Sequence, residues 1–246
     1  MDGPDELWSA RNQFYVGSFD GCLQECDMAR VDDKPALAAQ RDVLVARSRL
    51  ALGDFAGVQA LTASAASGKI DMAAVRECAV VLNPASSQAD VTAALTKLKS
   101  MVEQDATTNE TLRVMAGTAF AHVGDAAESL RALRAGPGPQ SLEAMQMQTM
   151  AYIRMERPDA ARRTLEMMQH KDEDSTLTQI ASAWVALASA AGATADASYR
   201  EALYVFQDLI GKWQPTPLLV GGLAAAMMNL GQFAEAQKAL EDVAKT

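Results

Sequence analysis

The sequence predicts an all-α fold, a solenoid of stacked helix–turn–helix units, on three observations. First, a glycine or its substitute recurs among small and aromatic residues, at Gly17-Ser18-Phe19, Gly53-Asp54-Phe55, Gly124-Asp125-Ala126, Glu156-Arg157-Pro158 and Gly231-Gln232-Phe233. Gly17 to Gly53 spans 36 residues, Gly53 to Gly124 spans 71, or about two such steps, and Gly124 to Glu156 spans 32; Gly192 fits the same ladder. Second, Pro4, Pro35, Pro84, Pro137, Pro139, Pro158, Pro215 and Pro217 all fall at proposed helix ends or turns. Proline removes a backbone donor and clashes with the preceding turn, so it punctuates helices. Third, a composition 49% hydrophobic but only 5% aromatic, with 13 methionines, suits close packing of aliphatic helices.

A period near 34 residues is that of the tetratricopeptide repeat, whose two antiparallel helices cannot bury their apolar face without neighbours. The expectation is a right-handed superhelical solenoid of about seven such repeats, a single domain over 1–246. Its helix pairs are placed at about 5–30, 34–64, 70–103, 108–134, 139–170, 174–211 and 215–245.

The first pair turns at Gly17 and the second at Gly53. Two helix backbones that cross closely need small residues at the crossing, about seven before the turn glycine and five after it. Ala10 and Cys22 fill these slots in the first pair, Ala46 and Val58 in the second. The third pair, around Asn83-Pro84, is assigned by spacing because its pattern is the most degenerate. The fourth turns at Gly124 and is closed by Gly136-Pro137-Gly138-Pro139, too rigid for a phosphate loop. The fifth turns at Glu156-Arg157-Pro158. The sixth carries a longer turn over 190–196, before a helix with Tyr204 and Phe206. In the seventh, Ala224 and Ala236 occupy the slots around Gly231, with Leu223, Met227, Leu240 and Val243 beside them.

The net charge is −9, from 22 basic and 31 acidic residues, with no basic cluster longer than a pair such as Arg162-Arg163. This argues against direct binding of nucleic acid or of an anionic membrane, both of which need a positive surface. The acidic N-terminus lacks the regions of a signal peptide. The apolar runs near 180–195 and 218–228 fall short of the roughly 20 residues of a membrane span. Direct membrane insertion is therefore not expected. Cys22, Cys26 and Cys78 cannot form a disulfide framework and fit a reducing intracellular compartment, where the sequon Asn109-Glu110-Thr111 has no meaning.

No residue pattern points to catalysis, a metal or a cofactor. Cys22 and Cys26 stand at i, i+4, but Cys22 falls in a small-residue slot, and Cys78, His122 and His170 lie in other repeats. The acids at Asp32-Asp33 and Asp172-Glu173-Asp174 precede helices, where carboxylates offset the dipole and cap free N–H groups. What remains is the inner face lined by the first helix of each repeat. Counting from the turns places Leu7, Arg11 and Phe14 there in the first repeat, and Val43, Arg47 and Leu50 in the second. Val114 and Thr118 follow in the fourth, and Gln146, Met150 and Ile153 in the fifth. Winding could bury this mostly apolar lining against neighbouring repeats, or a partner segment could occupy it. An acidic-tail clamp of the chaperone-binding type would need Lys and Asn where Leu7, Val43, Arg11 and Arg47 stand.

Specific words go beyond the generic repeat. Asp5-Glu6-Leu7, Asn12-Gln13-Phe14-Tyr15-Val16-Gly17-Ser18-Phe19 and Cys22 open the chain. Asp172-Glu173-Asp174-Ser175-Thr176-Leu177-Thr178-Gln179-Ile180-Ala181 runs on to Ala183-Trp184-Val185. With Arg41-Asp42-Val43, Tyr204-Val205-Phe206-Gln207 and Pro217-Leu218-Leu219, the sequence resembles the epsilon subunits of coatomer, the COPI vesicle coat, over nearly its whole length. The resemblance implies a non-enzymatic, cytosolic coat subunit recruited to Golgi membranes for retrograde transport to the endoplasmic reticulum. It implies binding to the C-terminal domain of the alpha subunit, and to other coatomer subunits indirectly. On repeat geometry, Leu7, Phe14, Val43, Leu50, Met150 and Ile153 are then the apolar contacts, with Arg11 and Arg47 as orienting donors. The alternative is a general tetratricopeptide adaptor for a peptide of another complex. The family implies further helices after the seventh repeat, so Leu240 and Val243 are expected to be partly exposed and the last pair the least stable.

Overall fold

The computed structural model describes residues 5–31, 33–64, 70–105, 109–136 and 140–245. The readings at Pro4, Asp32, Pro137, Gly138 and Pro139 lie outside them. Among the described residues there are fourteen α-helices, one 3-10 turn and no strand. The helices are α1 (Trp8–Tyr15), α2 (Phe19–Met28), α3 (Pro35–Ala51), α4 (Phe55–Ser64), α5 (Ile70–Leu82), α6 (Gln88–Asp105) and α7 (Glu110–His122). They continue as α8 (Ala126–Leu133), α9 (Leu142–Arg154), α10 (Pro158–Asp172), α11 (Thr176–Ser189), α12 (Ala195–Lys212), α13 (Pro217–Asn229) and α14 (Phe233–Val243).

Local chemistry sets the helix ends. Pro35, Pro158 and Pro217 each open a helix, where a missing N–H costs nothing. The side chains of Asn109, Asp125, Ser175 and Thr216 accept the free N–H three residues on, capping α7, α8, α11 and α13. The acids before α11 do not cap it. Asp172 closes α10, and the Ser175 hydroxyl takes the Thr178 N–H at 3.2 Å.

Four turns close alike. The N–H groups of Asp54, Asp125, Arg157 and Gln232 each donate at 2.9 Å to a carbonyl five residues back, the six-to-one bond of the Schellman motif. That bond needs a left-handed residue just before the donor. Gly53, Gly124 and Gly231 supply it with φ of 77, 85 and 78°, and Glu156 adopts the same region at 56° without being glycine. Gly192 opens the 3-10 turn instead. At the degenerate third turn Asn83 Oδ1 accepts the Ala85 N–H at 3.0 Å. A side chain there does what a backbone conformation does elsewhere.

Around five of the turns the residues seven before and five after are buried: Ala10 and Cys22, Ala46 and Val58, Gly117 and Ser129, Thr149 and Ala161, Ala224 and Ala236; at Gly192 the later position, Ala197, is exposed. At Gly117 the backbones approach so closely that the Ser129 hydroxyl donates to the Gly117 carbonyl at 2.8 Å.

The chain divides into two compact bodies. The first comprises Met1–Phe14 and Phe19–Met147. In it α3 packs on α2, α4 and α5, α5 on α6 and α7, and α7 on α8. Its main core runs from Ala46 through Val58, Cys78, Leu98 and Leu112 to Leu133, all fully buried. A smaller cluster joins Ala10, Cys22, Cys26 and Leu44.

The second body comprises Tyr15–Ser18 and Gln148–Thr246. Each helix from α10 to α14 packs on the next. Phe206 is its largest fully buried side chain and meets Trp184 edge-to-face at 5.6 Å. The short Tyr15–Ser18 segment is built into this core. Val16 is fully buried beside Leu219, and its carbonyl accepts from the Thr216 hydroxyl at 2.5 Å. Gln214 Nε2 donates to the Ser18 hydroxyl. Gly17, with φ 82°, lies so near Leu218 that an added β-carbon would sit 3.2 Å from Leu218 Cβ. At the other end of this body Leu240 is 41% exposed and Val243 half-buried, beside the exposed Phe233 and Met228.

Candidate partner-binding surface

In the first body the residues assigned to the inner face come from the turn before α1, from α1, from α3 and from α7. Leu7 and Leu50 are buried and belong to the chain's own core. Arg11 is partly exposed and already held, donating to Asp5 Oδ2 at 2.5 Å and to Gln40 Oε1 of α3 at 2.8 Å. Phe14 is half-buried against the Ala10–Cys22–Cys26–Leu44 cluster and meets Phe19 edge-to-face at 5.5 Å. Val43 packs on the main core and also lines a cleft of about 520 Å³ with Cys26, Arg41, Asp42, Leu61 and Asp71.

Arg47 is the most constrained of the set. Its guanidinium carbon lies 4.6 Å from the centroid of the Phe14 ring. Its Nη1 and Nη2 donate to the two carboxylate oxygens of Glu143, the first at 3.3 Å. The side chains are only 11% and 13% exposed. A planar fork matched to a carboxylate and stacked on a ring is the geometry arginine serves and lysine does not. Because both charges are poorly hydrated, removing either strands the other, at about 2–3 kcal/mol once this residual exposure is allowed for.

Glu143 was invisible in the sequence. It stands in the first turn of α9, where an acid has an ordinary role against the helix dipole, and nothing marks a partner 96 residues away. In the fourth repeat Val114 is buried and the Thr118 hydroxyl is turned back to the Val114 carbonyl at 2.8 Å. Met150 and Ile153, half-buried on α9, belong to the second body.

Cys22, Cys26 and Cys78 are buried thiols. Ser48 donates to Cys22 Sγ at 3.2 Å, while the hydrogen bond with Cys22 and then burial push the Cys26 thiol up. Burial raises Cys78 from 9.0 to about 12. Among the described residues no group of three or more His, Cys, Asp or Glu could hold a metal ion. No described helix is long and apolar enough to cross a membrane.

Comparison with known proteins gives this surface its context. The family model described as coatomer epsilon subunit matches residues 3–245. The chain belongs to the coatomer epsilon-subunit family. Coatomer subunit epsilon-1 of Oryza sativa subsp. japonica is 34% identical over 241 residues, covering 98% of this chain and 78% of the relative. Coatomer subunit epsilon-2 of Arabidopsis thaliana is also 34% identical, over 97% of this chain and 76% of its own. The Caenorhabditis elegans coatomer subunit epsilon is 28% identical over 96% and 77%. Among solved structures, the tetratricopeptide repeat protein from Parabacteroides merdae aligns with a TM-score of 0.55 at 15% identity, over 91% of this chain and 79% of that one. The Cut9–Hcn1 hetero-tetramer of the APC/C gives 0.65, also at 15% identity, over 95% and 44%. These likenesses establish the all-α, tetratricopeptide-like solenoid class, and the epsilon family supplies the biological setting.

Proposed function

We propose that this chain is a non-catalytic structural subunit of the COPI coat whose repeats act as one solenoid and hold the C-terminal domain of the coatomer alpha subunit. Through alpha it joins the remaining coat subunits, works in the cytoplasm at Golgi membranes and serves retrograde transport to the endoplasmic reticulum. The observation that carries this reading is membership of the epsilon family across nearly the whole chain. The residue chemistry supports it: half-buried Phe14, Val43, Met150 and Ile153 offer apolar surface, and Arg11 and Arg47, held by Asp5, Gln40 and Glu143, are the charged groups of the set. Leu7 and Leu50 are buried in the chain's own core. A folded domain covers more apolar surface than a short tail peptide does.

Co-expression with the alpha C-terminal domain from the same organism, followed by size-exclusion chromatography, tests the reading. A stable one-to-one complex is expected, weakened by the combined Phe14→Ala and Ile153→Ala substitutions in a chain that stays folded. Unchanged binding by that variant would remove these residues from the interface, and no complex at all would remove the alpha subunit as partner.

A further inference from the structure

The second helices of the third and fourth repeats, α6 and α8, both pack on α7, and between them lies a cleft of about 440 Å³. Its floor is apolar, made by Val102 of α6, Phe120 of α7, and Ala132 and Ala135 of α8 and the turn that follows it. None of the inner-face residues described above lines it. Its walls are fixed before anything binds. Near the start of α8 the Ser129 hydroxyl holds the Gly117 carbonyl at 2.8 Å, and beyond its end Nη1 of the buried Arg113 donates to the Ala135 carbonyl at 3.1 Å. A cation there also suits the negative end of the helix. A preformed apolar cleft of this size falls within the range of about 300–1,000 Å³ that ligand sites occupy, and covering its floor removes apolar surface from water.

The rim decides what covers it. Glu128 Oε1 accepts from Lys99 Nζ of α6 at 3.3 Å and also from Arg131 Nη1 of its own helix. Two cations on one carboxylate oxygen leave a positive charge at this mouth, while Glu103 and Arg134, one of each sign, cancel. In a chain of net charge −9 the cleft is a locally positive place. The Lys99 and Arg131 side chains are 45% and 68% exposed, so further N–H donors of each face water and can take a second acceptor. Ion pairs as exposed as these hold their geometry weakly.

The walls also set the shape of the occupant. Residues 99, 102 and 103 on one side and 128, 131, 132 and 135 on the other follow helical spacing. From Glu128 to Ala135 a helix advances about 10 Å, or two turns. A groove between two helices, two turns long and apolar at its base, seats the apolar face of a third. We propose that this cleft docks a short amphipathic helix of a partner protein, with large apolar side chains on the buried face and Asp or Glu on the flanks that meet Lys99 and Arg131. The inference goes beyond the partner-holding reading and does not depend on it, because the two surfaces share no residue.

Fluorescence anisotropy with the full chain tests it. Three fluorescein-labelled helical peptides share one design: Leu on one face with Glu on the flanks, the same with Lys for Glu, and the first with Ser for Leu. The Leu–Glu peptide should bind at least about ten-fold more tightly than either of the others. Arg131→Glu, at an exposed position, should lose about ten-fold on that peptide and gain on the Lys version, with the loss shrinking as salt is added. Ala135→Leu, which fills the floor, should weaken both leucine peptides, and its melting curve checks that it stays folded. Arg200→Glu makes the same charge change on exposed α12 surface of the second body and should alter nothing.

The proposal is overturned if no peptide binds, if all three bind alike, or if Arg131→Glu leaves affinity and charge preference unchanged. It also falls if the wild-type chain self-associates in sedimentation and Arg131→Glu renders it monomeric, since the cleft is then an interface between copies. The alpha C-terminal domain should bind wild type and Arg131→Glu equally. A loss of alpha binding in that variant would assign the cleft to the alpha interface and overturn a separate docking site. Were the alpha domain to bind neither chain while the peptide preferences held, the cleft would stand and the alpha reading would fall.

Discussion

The first body fills its fully buried core with side chains of small to middling size such as Ala46, Val58, Cys78 and Leu98, its one buried phenylalanine among the described residues, Phe120, being 6% exposed, whereas the second is organised around the fully buried Phe206. Both make room with a glycine, for different reasons. A β-carbon on Gly117 would come within 2.7 Å of Leu133, and one on Gly222 within 2.2 Å of the Phe206 ring. Gly117 stands seven before Gly124, in the slot where every repeat needs a small residue. Gly222 stands two residues from the equivalent slot, Ala224, and answers to one bulky neighbour. The repeat therefore specifies a volume shared between facing helices, and a large residue on one helix is matched by an empty position on the other.

That contrast can be broken by substitution. Phe206→Ala should cost the second body about 3–5 kcal/mol in urea unfolding, as expected for an emptied aromatic site. Gly222→Ala should cost about 1–3 kcal/mol in the wild type and much less beside Phe206→Leu, because the two positions share one space. Additive losses would show that Gly222 is not there for Phe206. Gly221 makes the control, since a β-carbon there meets nothing within 4 Å. Gly117→Ala and Ala236→Leu test the slots themselves, at about 1–3 kcal/mol each, and a neutral result at either would mean that the crossing is looser than the burial indicates.

Smaller effects sharpen the picture. Glu156 holds a left-handed conformation that its neighbouring repeats assign to glycine, so Glu156→Gly should raise stability by about 0.5–1 kcal/mol. A loss there would point to an interaction of the glutamate side chain that outweighs its backbone strain. Cys78 makes the gentlest probe. Its native thiol is raised to about 12, so the neutral form is favoured in the fold, and the stability this supplies is complete below the unfolded thiol value. That contribution is lost as the pH climbs from near 9.0 towards about 12. The unfolding free energy should decline across this window, and the Cys78→Ala variant should decline less.

Much of the fold was legible because the repeat writes itself in local terms. The glycine ladder, the slots at Ala10, Cys22, Ala46, Val58, Ala224 and Ala236, and the helix-opening prolines all depend on backbone geometry within a few residues. The Asn83 turn was harder because an Asx side chain replaced the expected backbone signal. Ser175 took the capping role that the preceding acids were expected to fill, being the residue placed to reach the Thr178 N–H. The inner face was legible only as a list of positions. Periodicity says which way Leu7, Leu50 and Arg47 point along a repeat, but not that the first two are buried or that the third meets Glu143. That meeting depends on winding summed over several repeats, which no local pattern encodes. The Tyr15–Ser18 segment, seated against Gln214, Thr216 and Leu218, was hidden for the same reason.

The most direct test is calorimetric titration of the folded wild-type chain with the C-terminal domain of the alpha subunit at several temperatures. The account predicts one-to-one binding with a negative heat-capacity change, the mark of apolar surface such as Phe14, Val43, Met150 and Ile153 leaving water. Absence of binding by a chain that melts cooperatively would contradict it.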